Sequence, residues 1–270
     1  MQETSPADKP IPPSASAAIP PTLTEDGFLN GRLRILQPEK GYRAGIDAVF
    51  LAASIPCADG DRVFEAGTGT GVAALCLAFR VPGLQITGIE VQARYALLAE
   101  ENAHRNKCGA GIKIIHADIK EALRRDVAHM PAAGSFAHAF ANPPYFEDGK
   151  STPSPVMLKA GAHNFSPEDL DIWVKALHTV LEPRGTATLV YRAEALPKIL
   201  ATFEGRFGDI TVAPLFPRDG LAATRIIVQG VKGSRAPIQL LPGLVLHGDD
   251  GKFTSQAEAI LREGASWPMR

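Results

Sequence analysis

The sequence predicts an α/β fold: a seven-stranded, mostly parallel sheet with an antiparallel terminal hairpin and helices on both faces. Three observations lead to this prediction. Short apolar runs typical of buried strands alternate with helical segments, as in successive βαβ units. The last two strand-like runs follow each other without a helix between them, which indicates an antiparallel pair. The chain also has no internal repeat and no heptads, which argues against solenoids and coiled coils.

The elements can be justified in chain order. Asn30-Gly31 separates two short runs, 24–29 and 32–37, and this dipeptide is the strongest short-range signal for a hairpin turn. Asp47 is the expected N-cap of a helix over 48–54. The strands of the sheet are predicted at 62–66, 85–90, 112–118, 136–141, 185–192, 209–215 and 224–230. Further helices are predicted at 72–80, 93–107, 167–181 and 193–203.

Composition and these elements divide the chain into four segments. Residues 1–23 are dominated by Pro, Ser and Ala and are expected to form a disordered leader. Residues 24–45 hold the hairpin, and residues 46–235 hold the α/β domain. Residues 236–270 are expected to form a C-terminal extension that packs on the same domain. The 270 residues, 45% of them apolar, can bury one good core.

Charge and cysteine content narrow the possible functions. A net charge of −1 does not fit a protein that grips nucleic acid over a broad basic face, so any such contact is expected to be local. The three cysteines form neither a metal-ligand pattern nor a disulfide framework, which fits a reducing cytoplasm. No run of eighteen apolar residues and no secretory signal is evident, so we expect a cytoplasmic protein without a membrane partner.

A glycine-rich turn joins the strand at 62–66 to the helix at 72–80. Its sequence is Glu65-Ala66-Gly67-Thr68-Gly69-Thr70-Gly71. The glycines allow positive φ and a close approach of a ligand to the backbone, and the helix start offers free N–H groups. The third glycine follows the second by only two residues, so the strict dinucleotide-binding pattern is not met.

Polar residues follow the next three strands. Glu90 ends the second strand, where an acid in nucleotide-binding α/β folds binds the ribose hydroxyls. Asp118 ends the third strand, and Asn142 follows the fourth. Because ligands bind at the carboxyl ends of strands in open α/β sheets, these residues and Gly67 are expected to share one edge.

The sequence Asn142-Pro143-Pro144-Tyr145 is the most informative motif of the chain. Two prolines stiffen the backbone where the strand ends, since they permit neither helix nor ladder hydrogen bonds. The side-chain amide of Asn142 and the carbonyl of Pro143 then supply acceptors for a planar –NH₂ group, with Tyr145 as an aromatic wall. This arrangement suits the amine of adenine or a carboxamide.

These motifs resemble those of the class I S-adenosylmethionine-dependent methyltransferases. Within them the chain is similar to the bacterial tRNA1(Val) adenine-N6 methyltransferase-like family, over roughly residues 24–262. The segment Ile35–Ala52, with its Gln-Pro, Gly-Tyr-Arg and Asp-Ala pairs, and the segment 246–254 are also similar. The chain departs from the family at Ile46, where many members have Thr or Ser, and at 162–165 after the Asn-Pro-Pro-Tyr motif.

The resemblance implies a Rossmann-like fold and S-adenosylmethionine as the cofactor. It also implies N6-methylation of an adenosine in RNA, most of all the adenosine beside the anticodon of a tRNA. It implies catalytic roles for Asn142, Pro143 and Tyr145, with Tyr145 stacked on a flipped base. It assigns cofactor binding to Asp47, Glu65, Gly67, Gly69, Gly71, Glu90, Asp118 and Asn142. No metal is expected, and the protein is expected to be a monomer or a weak dimer.

RNA contacts are expected from basic residues of the hairpin region and of the loop after Tyr145. These are Arg32, Arg34, Arg43, Lys150, Lys159 and His163. Two other functions stay open. The Asn-Pro-Pro-Tyr motif also suits glutamine-N5 methylation of a protein such as a release factor, although that class carries a helical N-terminal domain. The second is a non-catalytic module that binds the cofactor or RNA.

Overall fold

The structure is a computed structural model that describes residues 22–108, 111–123, 130–145 and 167–269. An antiparallel pair, β1 and β2, precedes a sheet formed by the other strands. The strands are β1 Leu23–Phe28, β2 Leu33–Pro38, β3 Arg62–Ala66, β4 Gln85–Glu90, β5 Ile112–His116, β6 Phe136–Ala141, β7 Leu181–Arg192, β8 Phe207–Arg218, β9 Arg225–Lys232, β10 Gln239–Leu240 and β11 Leu244–His247. The predicted leader lies almost entirely outside the described residues.

Six α-helices are found in the described part of the chain. They are α1 Ile46–Ser54, α2 Val72–Arg80, α3 Ala93–Arg105, α4 Pro167–Val180, α5 Leu196–Phe203 and α6 Ser255–Glu258. Short 3₁₀ turns cover Ile119–Leu123 and Ala193–Ala195, and a π turn covers Ala259–Glu263. No described helix has the length and apolar character needed to cross a membrane.

The sheet confirms the predicted α/β architecture. Its central seven strands run in the order β8-β9-β7-β6-β3-β4-β5, and β10 and β11 are short additions along β8. Strands β5, β4, β3, β6 and β7 are mutually parallel, and β9 inserts antiparallel between β7 and β8. The carboxyl ends of β3 to β7 therefore lie at one edge, where the predicted site residues occur.

Alternating side chains of the strands enter two separate apolar clusters, one on each face of the sheet. Val63 packs in one cluster with α1, α2 and α3, while its neighbour Phe64 packs in the other with α4 and α5. Both residues have no exposed surface. The helices thus cover both faces, as an α/β sheet buried on both sides requires.

Several predicted element ends are wrong, among them those of the third and fifth strands and the start of α1. The third strand ends at His116 rather than Asp118, because the Asp118 carboxylate accepts the Lys120 amide at 2.9 Å and starts a 3₁₀ turn. The fifth strand begins at Leu181 rather than residue 185. Asp47 is not an N-cap: Gly45 holds that position, and Asp47 lies in the first helical turn with its carboxylate bound elsewhere.

The hairpin is attached to the domain by Asn102 of α3 and by Asn106, the residue that caps the C-terminus of α3. Asn102 accepts the Leu36 amide at 2.8 Å and donates to the Leu36 carbonyl at 3.0 Å. One helical turn later, Asn106 makes the same pair of bonds to Arg34, each at 2.9 Å. The two carboxamides thus take the place of a neighbouring strand along β2. Asn102, which is fully buried, also donates to the Thr70 carbonyl at 2.9 Å and so joins the hairpin to the glycine turn.

Gln37 makes a second connection between the hairpin and the glycine turn. Its side-chain nitrogen donates to Asp26 at 2.7 Å and to the Ala44 carbonyl at 3.2 Å. Its side-chain oxygen accepts the Ala44 amide at 2.8 Å and the Thr70 hydroxyl at 3.3 Å. These bonds fix the segment between β2 and α1 beside the glycine turn.

Candidate active site

The carboxyl ends of four parallel strands bring the predicted site residues to one edge of the sheet. In the strand register, Ala66 pairs with Ile89 on one side and with Ala141 on the other. Glu90 pairs with His116, two residues before Asp118. The glycine turn, Glu90, Asp118 and Asn142 therefore follow neighbouring strand ends, as expected from the sequence.

The glycine turn has the backbone conformation that its sequence predicts. Gly67, Gly69 and Gly71 all adopt positive φ, at 66°, 57° and 84°. Gly71 occupies the N-cap position of α2. The Gly69 amide donates to a Glu90 carboxylate oxygen at 2.9 Å, so the loop and the end of β4 are held together directly.

Two aromatic rings that the sequence analysis did not assign pack against the glycine turn. A Cβ added at Gly67 would lie 2.3 Å from the Trp173 ring of α4, and one at Gly69 would lie 2.8 Å from the Tyr42 ring. The Tyr42 amide donates to the Tyr95 hydroxyl at 3.1 Å, which helps to fix that segment. Both positions therefore favour glycine for two reasons: the backbone has positive φ, and an aromatic ring lies where a Cβ atom would be.

Two buried carboxyl groups lie beside the turn. Glu65 is 4% exposed and accepts a hydrogen bond from the Thr68 hydroxyl, and its burial raises its pKa to about 8. Glu90 is 6% exposed. Burial raises its pKa as well, while hydrogen bonds from the Gln92 and Gly69 amides oppose the shift. The turn therefore places two carboxyl groups within reach of a ligand that carries hydroxyl or ammonium groups, and the Glu65 carboxyl keeps its proton up to about pH 8.

The buried Glu65 makes stability depend on pH. Its pKa is raised from 4.5 to about 8, so between these pH values the unfolded chain releases a proton that the folded chain retains. The contribution of Glu65 to the free energy of unfolding is therefore complete below pH 4.5 and is lost as the pH rises to about 8. We expect Glu65→Gln to raise the free energy of unfolding at pH 8 by a few kcal/mol, to order of magnitude, and to change it little at pH 4.5.

Urea unfolding of both proteins across this pH range measures the effect. Glu258→Gln is the matched control, because Glu258 is half-exposed and pairs with Arg262 at the surface. An unchanged pH slope in Glu65→Gln would show that Glu65 is ionised in the folded protein.

Asn142 belongs to a hydrogen-bonded cluster with Tyr145, Asp47 and Arg225. The Tyr145 hydroxyl lies 2.7 Å from Asp47 Oδ2 and 3.2 Å from Asn142 Oδ1. Arg225 donates to the same Asp47 oxygen at 3.0 Å. One hydroxyl hydrogen cannot serve two acceptors fully, and the shorter contact to a carboxylate is the stronger. Asn142 Oδ1 therefore retains most of its capacity to accept hydrogens from an amine.

Tyr145 is fixed on several sides. The Arg225 guanidinium lies over its ring, 4.7 Å from the centroid, and Tyr191 meets the ring edge-to-face at 5.2 Å. Tyr191 also donates to the Pro144 carbonyl at 3.0 Å. Burial and the neighbouring Asp47 raise the pKa of Tyr145, so its phenol stays protonated and acts as a donor. The stacking of Tyr145 on a base stays a prediction.

The sequence does not single out Arg225, because this residue begins an apolar strand of the predicted terminal hairpin. The one available signal was a charged residue directly before Ile226-Ile227-Val228. It lines an open cleft of about 480 Å³ beside the cluster. The other lining residues are Arg192, Ala193, Glu194, Ala223 and Thr224.

The predicted RNA-contacting arginines all have partners within the protein. Arg34 pairs with Glu25 at 2.8 Å, and Arg43 pairs with Asp26. Arg32 lies over the Phe79 ring at 5.9 Å. Their roles in RNA binding stay predictions. Lys150, Lys159 and His163 lie outside the described residues.

Comparison with known proteins shows similarity to methyltransferases. The family model described as methyltransferase small domain matches residues 44–166, which include the glycine turn and Asn142. Three curated relatives carry the name tRNA1(Val) (adenine(37)-N6)-methyltransferase. The protein of Dickeya chrysanthemi is 25% identical over 254 residues, 90% of this chain and 95% of that protein. The proteins of Shewanella sediminis and Bacteroides fragilis are 26% and 30% identical, over 63% and 57% of this chain and 69% and 61% of their own lengths.

Solved structures show the same fold. A predicted O-methyltransferase from Agrobacterium tumefaciens has a TM-score of 0.67 and 24% identity, covering 82% of this chain and 98% of its own. A tRNA (m1A58) methyltransferase from Aquifex aeolicus has a TM-score of 0.52 and 19% identity, covering 73% and 72%. We conclude that the protein is an S-adenosylmethionine-dependent methyltransferase that is similar, over residues 44–166, to the methyltransferase small domain and, over most of its length, to the tRNA1(Val) (adenine(37)-N6)-methyltransferase of Dickeya chrysanthemi.

Proposed function

We propose that this methyltransferase modifies N6 of an adenosine in RNA, and that its substrate is a tRNA with the target beside the anticodon. The observation that carries the proposal is the position of Asn142 Oδ1, at the end of β6 and beside the glycine turn. The three curated relatives named above support the choice of tRNA, because each is named for adenine-N6 methylation at position 37 of tRNA1(Val).

The residues present fit S-adenosylmethionine as the cofactor. Three glycines in positive φ bring the backbone close to a ligand, and the Glu90 carboxylate beside Gly69 suits the ribose hydroxyls. Glu65 and the first turn of α1 lie near the same turn and would hold the amino-acid part. When bound, the cofactor supplies an electrophilic methyl group on a sulfonium, which is already a good leaving group.

The protein's own contribution is alignment and exclusion of water. The lone pair of the adenine N6 is delocalised into the ring, which makes the amine a poor nucleophile. Asn142 Oδ1 and the Pro143 carbonyl would accept the two amine hydrogens and favour a pyramidal nitrogen. Asp47 and Arg225 would keep the Tyr145 hydroxyl directed away from Asn142, so that the amide oxygen faces the amine.

A labelling assay tests the proposal. The pure protein is incubated with radiolabelled S-adenosylmethionine and, in parallel, with total tRNA, ribosomal RNA and release factor from cells that lack the gene. We expect label in tRNA that digests to N6-methyladenosine. Label in the release factor would instead support glutamine-N5 methylation. Cofactor binding without label in any pool would support the non-catalytic alternative.

A further inference from the structure

The cleft beside Tyr145 contains two arginines from neighbouring strands. Arg192 ends β7 and Arg225 begins β9, and the two are direct partners in the antiparallel register. Directly paired residues project from the same face of a sheet, so their guanidinium groups enter the cleft together. Arg225 also covers the Tyr145 ring, so the cleft borders the predicted position of the target base.

Each of the two arginines pairs with an acidic side chain. Arg225 is bound to Asp47, whose side chain is only 23% exposed and also accepts from Tyr145. Arg192 pairs at 2.6 Å with Glu194, whose side chain is 64% exposed. An ion pair of that exposure contributes little stability, so a stronger anionic partner can displace Glu194 at small cost.

We propose that this cleft is the subsite for a backbone phosphate next to the target nucleotide, with Arg192 as its ligand and Glu194 as the partner that the phosphate displaces. The inference rests on the proposed function. A guanidinium presents paired donors that match phosphate oxygens, and such contacts position RNA without reading its sequence. A net charge of −1 does not fit binding of RNA over a broad basic face, so local phosphate contacts of this kind are expected.

Steady-state methylation of in vitro transcribed tRNA1(Val) by the full chain tests the subsite. For Arg192→Ala we expect the KM for tRNA to rise about tenfold, the kcat to change little, and the slope of log affinity against log salt to fall by about one. For Glu194→Gln we expect a lower KM, because the competing carboxylate is gone. Arg262→Ala and Glu258→Gln are matched controls, since they change an exposed Arg–Glu pair outside the cleft and should leave KM unchanged.

A chemically modified RNA makes the test independent of turnover. An anticodon stem-loop with neutral methylphosphonates flanking the target adenosine is titrated against wild type and Arg192→Ala in the presence of S-adenosylhomocysteine. We expect the neutral linkages to weaken binding to the wild type about as much as Arg192→Ala does, and to weaken the variant no further. If the losses of affinity from the neutral linkages and from Arg192→Ala are fully additive, the subsite proposal is wrong.

The outcomes separate the two proposals. If wild type labels tRNA but Arg192→Ala behaves like Arg262→Ala, the phosphate subsite is wrong and the proposed function stands. If wild type labels only protein, or no RNA at all, both proposals are wrong.

Discussion

Asn142→Ala is expected to reduce turnover by roughly a thousandfold or more while leaving cofactor affinity within a few fold, because alignment and a preorganised acceptor are lost together. The Asn142 amide oxygen lies 3.2 Å from the Tyr145 hydroxyl, within the cluster that is proposed to face the substrate. Single-turnover methylation of tRNA measures the first effect. Calorimetric titration with S-adenosylmethionine measures the second.

Tyr145→Phe provides the graded comparison for this prediction. It keeps the ring that packs on Arg225 and Tyr191 and removes only the hydroxyl. We expect a smaller loss than for Asn142→Ala, since the amide acceptor remains while the bond to Asp47 is lost. Full turnover by Asn142→Ala would refute the proposed chemistry for both substrates that the motif suits, adenine and glutamine.

Asn102→Ala is expected to lower the free energy of unfolding by about 3 kcal/mol, the largest loss of stability that we predict. The side chain is fully buried and makes three hydrogen bonds to backbone groups, two at Leu36 and one at Thr70. Alanine leaves these buried groups without their partner, and it disconnects β2 from the glycine turn. Urea denaturation measures the loss, and hydrogen exchange at the Leu36 amide locates it.

Asn106→Ala is the control for Asn102→Ala, because it removes the same two bonds to a β2 residue at a more exposed position. We expect it to cost less than about 1 kcal/mol. Equal losses in the two variants would mean that burial of the Asn102 bonds is not what stabilises the hairpin.

Local sequence signals were enough to predict the sheet and its ligand-binding edge. Strand–turn–helix alternation is encoded within short windows, and the motifs at Gly67, Glu90 and Asn142 each follow an apolar run directly. The α/β fold, the enzyme class and the cofactor are confirmed. The roles assigned to single site residues stay predictions.

The interactions that the sequence did not predict are those between distant residues. Asp47 was expected to cap a helix, but Arg225, far along the chain, and Tyr145 bind its carboxylate instead. Trp173 appears in the sequence as one apolar position of a helix, and only the sheet places its ring on Gly67. Such pairings depend on strand order, which no local pattern contains.

The two short strands along β8 have a consequence for self-association. An open strand edge is a template on which further chains can add, and β8 is long, with twelve residues. β10 covers Thr211 and Val212, and β11 covers the stretch from Leu215 to Arg218. The interruption between them falls at Pro214, which has no N–H to offer a neighbouring chain. The C-terminal segment thus covers much of the β8 edge, and we expect a chain cut before β10 to aggregate more readily although the glycine turn and Asn142 lie outside the removed segment.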